Sequence, residues 1–190
     1  MIQEIRDGDP VVAELLELYE NTFPVECREP TEQLLQELRG EYRIPFRFFV
    51  AMQQGNFAGF IRWAHLPVSE LGFVVHLAVE RRYRRFGFGR ALMEAVREAC
   101  PAVPIVFETE DDRGQDGSVL DWYLRMGAHV VSQGYNQPEL HAGLGAVPLM
   151  LMAWGPVHDP RKLIQDFYQE VWELPETHPY VQKAWLGVVP

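Results

Sequence analysis

Between Phe73 and Ala99 the chain reads FVVHLAVERRYRRFGFGRALMEAVREA. An apolar run leads into an arginine-dense loop, and a helix-forming stretch follows at once. No other feature constrains the fold as strongly. By its composition Phe73 to Val79 reads as a strand buried on both faces. The loop closes with Arg84-Arg85-Phe86-Gly87-Phe88-Gly89. Strand, basic glycine loop and helix together turn bare backbone N–H groups toward a phosphate. Glycine removes the Cβ that would keep the backbone at a distance. The first turn of a helix carries N–H groups with no intrahelical partner. Arginine adds charge and paired donors. The sequence therefore predicts a binder of a phosphorylated cofactor.

The bulk properties narrow the class. A chain of 190 residues is one domain, or one domain with an extension, and is long enough to bury a core. Apolar residues make up 47% and charged residues 23%, which argues against disorder. The net charge of −10 argues against non-specific nucleic-acid binding and suits a cationic partner, although acidity for solubility alone is the commoner reason. The two cysteines, Cys27 and Cys100, form no CxxC, and the six histidines lack ligand spacing, so no metal site or disulfide framework is expected. The stretch MIQEIRDGDP lacks the basic and apolar regions of a signal peptide, and no apolar run is long enough to span a bilayer. A cytoplasmic location is the resulting expectation.

Residues 1–6 read as a short strand. Asp9-Pro10 reads as the start of a helix that Pro24 ends, and Thr31 as the cap of a second helix that Gly40 stops. Phe46 to Gln53 and Phe57 to Leu66 flank the turn pair Gly55-Asn56 as a β-hairpin. Arg90 to Cys100 predicts a helix with Leu92, Val96 and Ala99 inward, and Pro104 to Glu110 a strand. Ser118, with Asp121 three residues on, has the capping-box pattern for a helix that stops at Gly127. His129 to Gln133 and Val147 to Trp154 read as closing strands around a long glycine-rich loop. Asp159-Pro160 opens a last helix, with Leu163, Ile164, Phe167, Tyr168, Val171 and Trp172 on one face. The order predicts a mixed, layered α/β (α+β) domain.

Two kinds of phosphate-binding loop compete for residues 84–92. A dinucleotide-binding fold would use Gly87-x-Gly89, with Glu108 roughly 20 residues on as the ribose acid. Leu92 stands where its third small residue belongs, and Glu80 to Phe86 is too long for its tight turn. Arg84-x-x-Gly87-x-Gly89 instead resembles the R/Q-x-x-G-x-G/A pyrophosphate loop of the GNAT superfamily of acetyl-CoA-dependent N-acyltransferases. Leu77-Ala78-Val79 is similar to the end of that family's fourth strand. Asp116-x-x-Val119-x-x-Trp122-Tyr123-x-x-x-Gly127 resembles its N-x-x-A-x-x-F-Y-x-x-x-G helix, with Asp, Val and Trp replacing Asn, Ala and Phe. The resemblance covers about residues 1–154 and leaves 155–190 as a C-terminal helix and tail outside the common core.

The resemblance implies a GNAT-like, mostly antiparallel central sheet flanked by helices. It also implies acetyl transfer from acetyl-CoA to a primary amine by direct attack. Residues Arg84, Arg85, Phe86, Gly87, Phe88, Gly89 and Arg90 would hold the diphosphate, and Arg81 and Arg82 would lie at the surface or near the adenosine phosphate. A backbone N–H at Leu77 or Val79, beside Ala78, would steady the charge building on the thioester oxygen. Tyr123 would protonate the departing thiolate, unless it is only a core aromatic. For the base that frees the amine, His76 lies on the face of Ala78 and competes with the reading of a satisfied core histidine. Glu108 and Glu110 alternate onto one strand face as base, as a seat for a cationic acceptor, or as solvated carboxylates. Glu26, Glu29 and Glu70 are further acceptor-side candidates, as are the loop residues Tyr135 and His141. The aromatic C-terminal segment reads as flank packing, a homodimer arm or a lid. A non-catalytic acyl-CoA-binding module is the alternative function, and a nucleotide-dependent oxidoreductase is the more distant one.

Overall fold

The computed structural model describes residues 1–189 and divides the chain into two compact units. Among the described residues, the first comprises 1–65 and 74–101, the second 66–73 and 102–189. The fold is mixed α/β, with mostly antiparallel strands flanked by helices, as expected.

The first unit holds β1 (Ile2–Ile5), α1 (Val12–Thr22), α2 (Thr31–Leu38), β2 (Arg47–Gln53), most of β3 (Asn56–Leu66), most of β4 (Leu71–Val79) and α3 (Phe88–Ala99). Its strands lie in the order β1-β2-β3-β4. The β2–β3 hairpin is antiparallel from Arg47↔Trp63 to Gln53↔Asn56, with a bulge between Ala51 and Met52. Both α2 and α3 touch β2, which explains why four consecutive β2 residues are buried. Helix α3 buries Leu92, Met93 and Val96, while Ala99, expected inward, is exposed. The buried stripe continues instead to Cys100, the position in line with Leu92 and Val96 at a four-residue step. Strand β4 begins two residues earlier than predicted, and only its first half is closed on both faces. From Val75 onward burial alternates: His76 and Ala78 are buried, and Val75, Leu77 and Val79 are partly open.

The second unit holds β5 (Ile105–Thr109), α4 (Val119–Arg125), β6 (His129–Ser132), β7 (Asn136–Gln137), β8 (Val147–Pro148), β9 (Met150–Trp154), α5 (Pro160–Trp172) and α6 (Pro179–Leu186). Strand β9 lies between β5 and β6 and is antiparallel to both. The predicted Ser118 cap is present, its hydroxyl accepting from the Asp121 N–H at 3.0 Å. Asp159 caps α5 in the same way, accepting from the N–H groups of Arg161 and Lys162.

Several expectations shift. Helix α1 starts at Val12, because the Asp9 carboxylate accepts from the Val11 N–H and forms a turn before the helix. Thr31 is the first residue of α2 and not its cap, since its hydroxyl donates to Glu20 at 2.7 Å. The single strand expected over residues 147–154 is broken at Leu149, whose N–H turns to the Tyr135 carbonyl. Helix α6 was unforeseen; its start is made by Pro179 and the His178 ring, which accepts from the Tyr180 N–H. Among the described residues no helix is long and apolar enough to cross a membrane.

Candidate active site

The loop after β4 is built to expose its backbone. The Glu80 N–H closes on the Ala58 carbonyl, ending the strand, and Arg81–Tyr83 forms one 3₁₀ turn. Two residues then take left-handed conformations, Arg85 at φ 68° and Gly87 at φ 86°. Glycine alone adopts this region without a steric cost. Gly87 is the N-cap of α3 and offers no side chain to the helix. The first intrahelical bond runs from Ala91 N–H to the Gly87 carbonyl, so the N–H groups of Phe88, Gly89 and Arg90 precede it. Arg84, Arg85, Phe86 and Gly87 are all exposed around this end. The Arg84 guanidinium rests on the Val79 carbonyl at 3.1 Å, which ties the loop to the last residue of β4. The Arg90 guanidinium is drawn back along α3 to Glu94 at 2.8 Å, which leaves that residue's backbone N–H as its contribution at the helix end. An anion fits such a helix end by partial charge, donor direction and the neighbouring arginines.

On the buried face of β4, His76 lies in a largely buried polar network. Its Nε2 meets the Cys27 carbonyl at 3.1 Å and its Nδ1 meets an Arg62 guanidinium N–H at 3.2 Å. A carbonyl only accepts and a guanidinium only donates, so the ring is neutral, with its proton on Nε2 and its lone pair on Nδ1 held by Arg62. Burial pushes its pKa down to about 4, against the pull of Glu29. Arg62 is fully buried mid-strand. It forks onto Glu37 at 2.6 and 2.7 Å and reaches Glu29 at 2.8 Å. Burial opposes the Glu29 charge, but the Arg62 charge and hydrogen bond hold its carboxyl at about 2. Burial pushes Glu37 upward against the pull of the same guanidinium, although the two-pronged contact is the geometry of an ionised pair. Tyr19 completes the cluster, donating to the Glu29 carbonyl at 3.0 Å, with its ring edge-on to His76. Glu29 is therefore a structural member of this network, where the sequence offered it as an acceptor contact. Glu26 is half-buried in the preceding 3₁₀ turn.

In the second unit Tyr123 is buried on α4, its ring tilted against Phe107 at 4.1 Å and Trp122 at 4.8 Å. Burial raises its hydroxyl pKa well above the usual phenol value, so the group is a proton carrier at neutral pH. The helix start is fixed twice over: Asp112 accepts from the Ser118 hydroxyl and from the N–H groups of Val119 and Leu120. Glu108 is half-buried on β5, while Glu110 lies just past the strand and is exposed. Tyr135, offered by the sequence as an acceptor-side loop residue, is 1% exposed. Its hydroxyl donates to Glu108 Oε1 and accepts from the Trp172 indole N–H at 3.1 Å. The sequence singled out neither this contact nor Arg62; a charged residue inside the apolar run 57–66 was the available signal for the latter. Glu70 is exposed in a turn at φ 52°, and His141 is half-buried in the glycine-rich loop. Among the described residues no group of three or more His, Cys, Asp or Glu could hold a metal ion.

The acetyltransferase (GNAT) family profile matches residues 12–127. Several solved structures share the fold. A protein assigned to the GNAT family from Bacteroides thetaiotaomicron is 22% identical with a TM-score of 0.76, covering 92% of this chain and 99% of its own. The ribosomal-protein-alanine N-acetyltransferase from Escherichia coli is 17% identical with a TM-score of 0.58, over 84% of this chain and 97% of its own. An aminoglycoside 6′-N-acetyltransferase complexed with coenzyme A is 18% identical with a TM-score of 0.61, over 84% and 99%. No curated protein sequence matches.

Proposed function

The chain belongs to the GNAT acetyltransferase family, an acyltransferase class that uses acetyl-CoA, and on that premise we propose that it acetylates a primary amine by direct attack. The observation that carries the reading is the α3 N-terminus, with its uncapped N–H groups behind two left-handed residues and a rim of arginines. In this reading the N–H groups of Phe88, Gly89 and Arg90 hold the diphosphate of acetyl-CoA, and Arg84 and Arg85 supply charge. The partly open half of β4, at Leu77 and Val79, supplies the donor for the thioester oxygen. Membership of the family also displaces the dinucleotide-binding alternative for the same glycines.

Proton handling is assigned to Glu108 and Tyr123. Glu108 takes one proton from the acceptor ammonium, leaving a neutral amine. The amine nitrogen bonds to the acetyl carbon, the carbon–sulfur bond breaks, and the sulfur takes the Tyr123 proton. The second amine proton returns to the tyrosine, and Glu108 releases its proton to water. His76 is not assigned the base role, because both of its nitrogens are committed and its lone pair faces a cation. The exposed carboxylate Glu110 is assigned to draw in a cationic acceptor. The named activities of two fold relatives, on an aminoglycoside and on a protein alanine, give the first acceptors to try.

Calorimetry with acetyl-CoA and a thiol-release assay with kanamycin, spermidine and an alanine-initiated peptide test the reading. Arg84→Ala is expected to raise the KM for acetyl-CoA about 10-fold with kcat nearly unchanged. Tyr123→Phe is expected to lower kcat about 100-fold with little change in KM. Absence of acetyl-CoA uptake at millimolar ligand would overturn the proposal.

A further inference from the structure

We propose that Tyr135 and Trp172 are positioning residues for acyl transfer, holding the Glu108 carboxylate through a Trp172→Tyr135→Glu108 hydrogen-bond chain. The inference rests on the reading of Glu108 as the base. It adds a part of the site that lies beyond the family-matched residues 12–127.

The direction of the chain follows from the donors. An indole N–H can only donate, so Trp172 Nε1–H occupies a lone pair of the Tyr135 oxygen at 3.1 Å. The tyrosine proton is then left to point at Glu108 Oε1, the other partner of that oxygen. Each bond polarises the next, so the phenol is a stronger donor to the carboxylate than it would be alone. The donors that reach Glu108 along this chain are neutral. They fix the orientation of the carboxylate through Oε1.

The segment carrying Tyr135 is fastened on every side to the C-terminal helices. Its ring packs against Phe167 at 6.0 Å and Tyr168 at 5.1 Å on α5. The Tyr168 hydroxyl accepts from the Asn136 N–H at 3.1 Å and donates to the Asn136 carbonyl at 2.9 Å. Lys183 on α6 donates to Asn136 Oδ1 at 3.2 Å. Ser132 donates to the Ala184 carbonyl at 2.7 Å and accepts from the Gly134 N–H at 3.0 Å. Gly134 lies so close to the Lys183 carbonyl that any Cβ there would collide with it. A loop tied this tightly places its tyrosine hydroxyl within narrow limits, which is what a side chain that aims another one needs. Helices α5 and α6 thereby gain a catalytic purpose in addition to packing.

The test uses the full chain, acetyl-CoA and the fastest-reacting amine among kanamycin, spermidine and an alanine-initiated peptide. Tyr135→Phe is expected to lower kcat about 10- to 50-fold and Trp172→Phe about 5-fold, both with the KM for acetyl-CoA within about 2-fold of the parent. Because the indole acts only through the phenol, the double variant should be no slower than Tyr135→Phe alone. Melting temperatures accompany each rate. If Trp172→Phe does not fold, replacing Trp172 by benzothienylalanine removes the N–H alone and the same loss of kcat is expected. Unchanged kcat in both single variants, with Glu108→Gln inactive, overturns the proposal and leaves the base assignment standing. Losses that multiply in the double variant, or that merely track a loss of folded protein, also overturn it. Full activity in Glu108→Gln, or no acetylation of any of the three amines, removes the underlying reading and this proposal with it.

Discussion

The two polar networks, one in each unit, hold their carboxylates by opposite means. Around Arg62 the donor is a full positive charge: it forks onto Glu37, reaches Glu29 and presses on the His76 lone pair. Along the Tyr135 chain the donors are a phenol and, behind it, an indole. Both kinds of donor favour the charged carboxylate, but a cation favours it about twice as strongly as a neutral donor, whose main effect is to aim it. The first arrangement suits a framework and the second suits chemistry. As candidate bases, a histidine on the strand beside the glycine loop and a glutamate on another strand differ in the donors around them.

The largest expected effect tests the first network. Arg62→Met leaves the buried Glu37 and the largely buried Glu29 without their counter-charge and should cost about 3–5 kcal/mol of unfolding free energy, measured by urea denaturation. A loss below about 1 kcal/mol would mean that water screens Glu29 and Glu37 as it does a surface pair.

Acid should expose the same network next. The His76 pKa lies at about 4 in the fold against a usual 6.5. Between those values the unfolded chain takes up a proton that the folded chain refuses. The stabilisation is therefore complete above pH 6.5 and drains as the pH falls toward 4, by at most about 3 kcal/mol. Glu29, held at about 2 against a usual 4.5, extends the loss below pH 4.5 in the same direction. Glu37, pushed upward by burial, partly offsets both. Urea midpoints taken from pH 7 to pH 4.5 should fall in the parent and fall less in His76→Gln. Equal slopes would show that the ring does not stay neutral in the fold.

Local signals carried much of the fold. The strand–loop–helix at 73–99, the Ser118 and Asp159 caps and the inner face of α5 each depend on residues within a turn or two of one another, and each was legible. Helix α6 was not, because its eight residues give too short a repeat and its cap is a histidine ring. The site was legible only in part. The candidate phosphate loop is local, and its glycines announce it. His76, by contrast, is defined by Cys27 and Arg62, which are 49 and 14 residues away, and Tyr135 by Glu108 and Trp172, which are 27 and 37 residues away. Whether a titratable side chain is committed or available is a tertiary property, so composition and spacing could only name the candidates.

The smallest expected effect is on stability, and it sets the two networks against each other most directly. Tyr135→Phe removes one hydroxyl that makes two hydrogen bonds, and the half-exposed Trp172 indole can turn to water for the partner it loses. The cost should be about 1 kcal/mol in the urea midpoint, several-fold less than for Arg62→Met. Turnover should rank the pair the other way, because the phenol aims the proposed base while the guanidinium secures the framework. Measuring both quantities on both variants separates the roles without any knowledge of the natural acceptor. If Tyr135→Phe proves as destabilising as Arg62→Met and no slower in acetyl transfer than the parent, the contrast between a framework network and a chemical one fails. The tyrosine would then be a second keystone of the fold and nothing more.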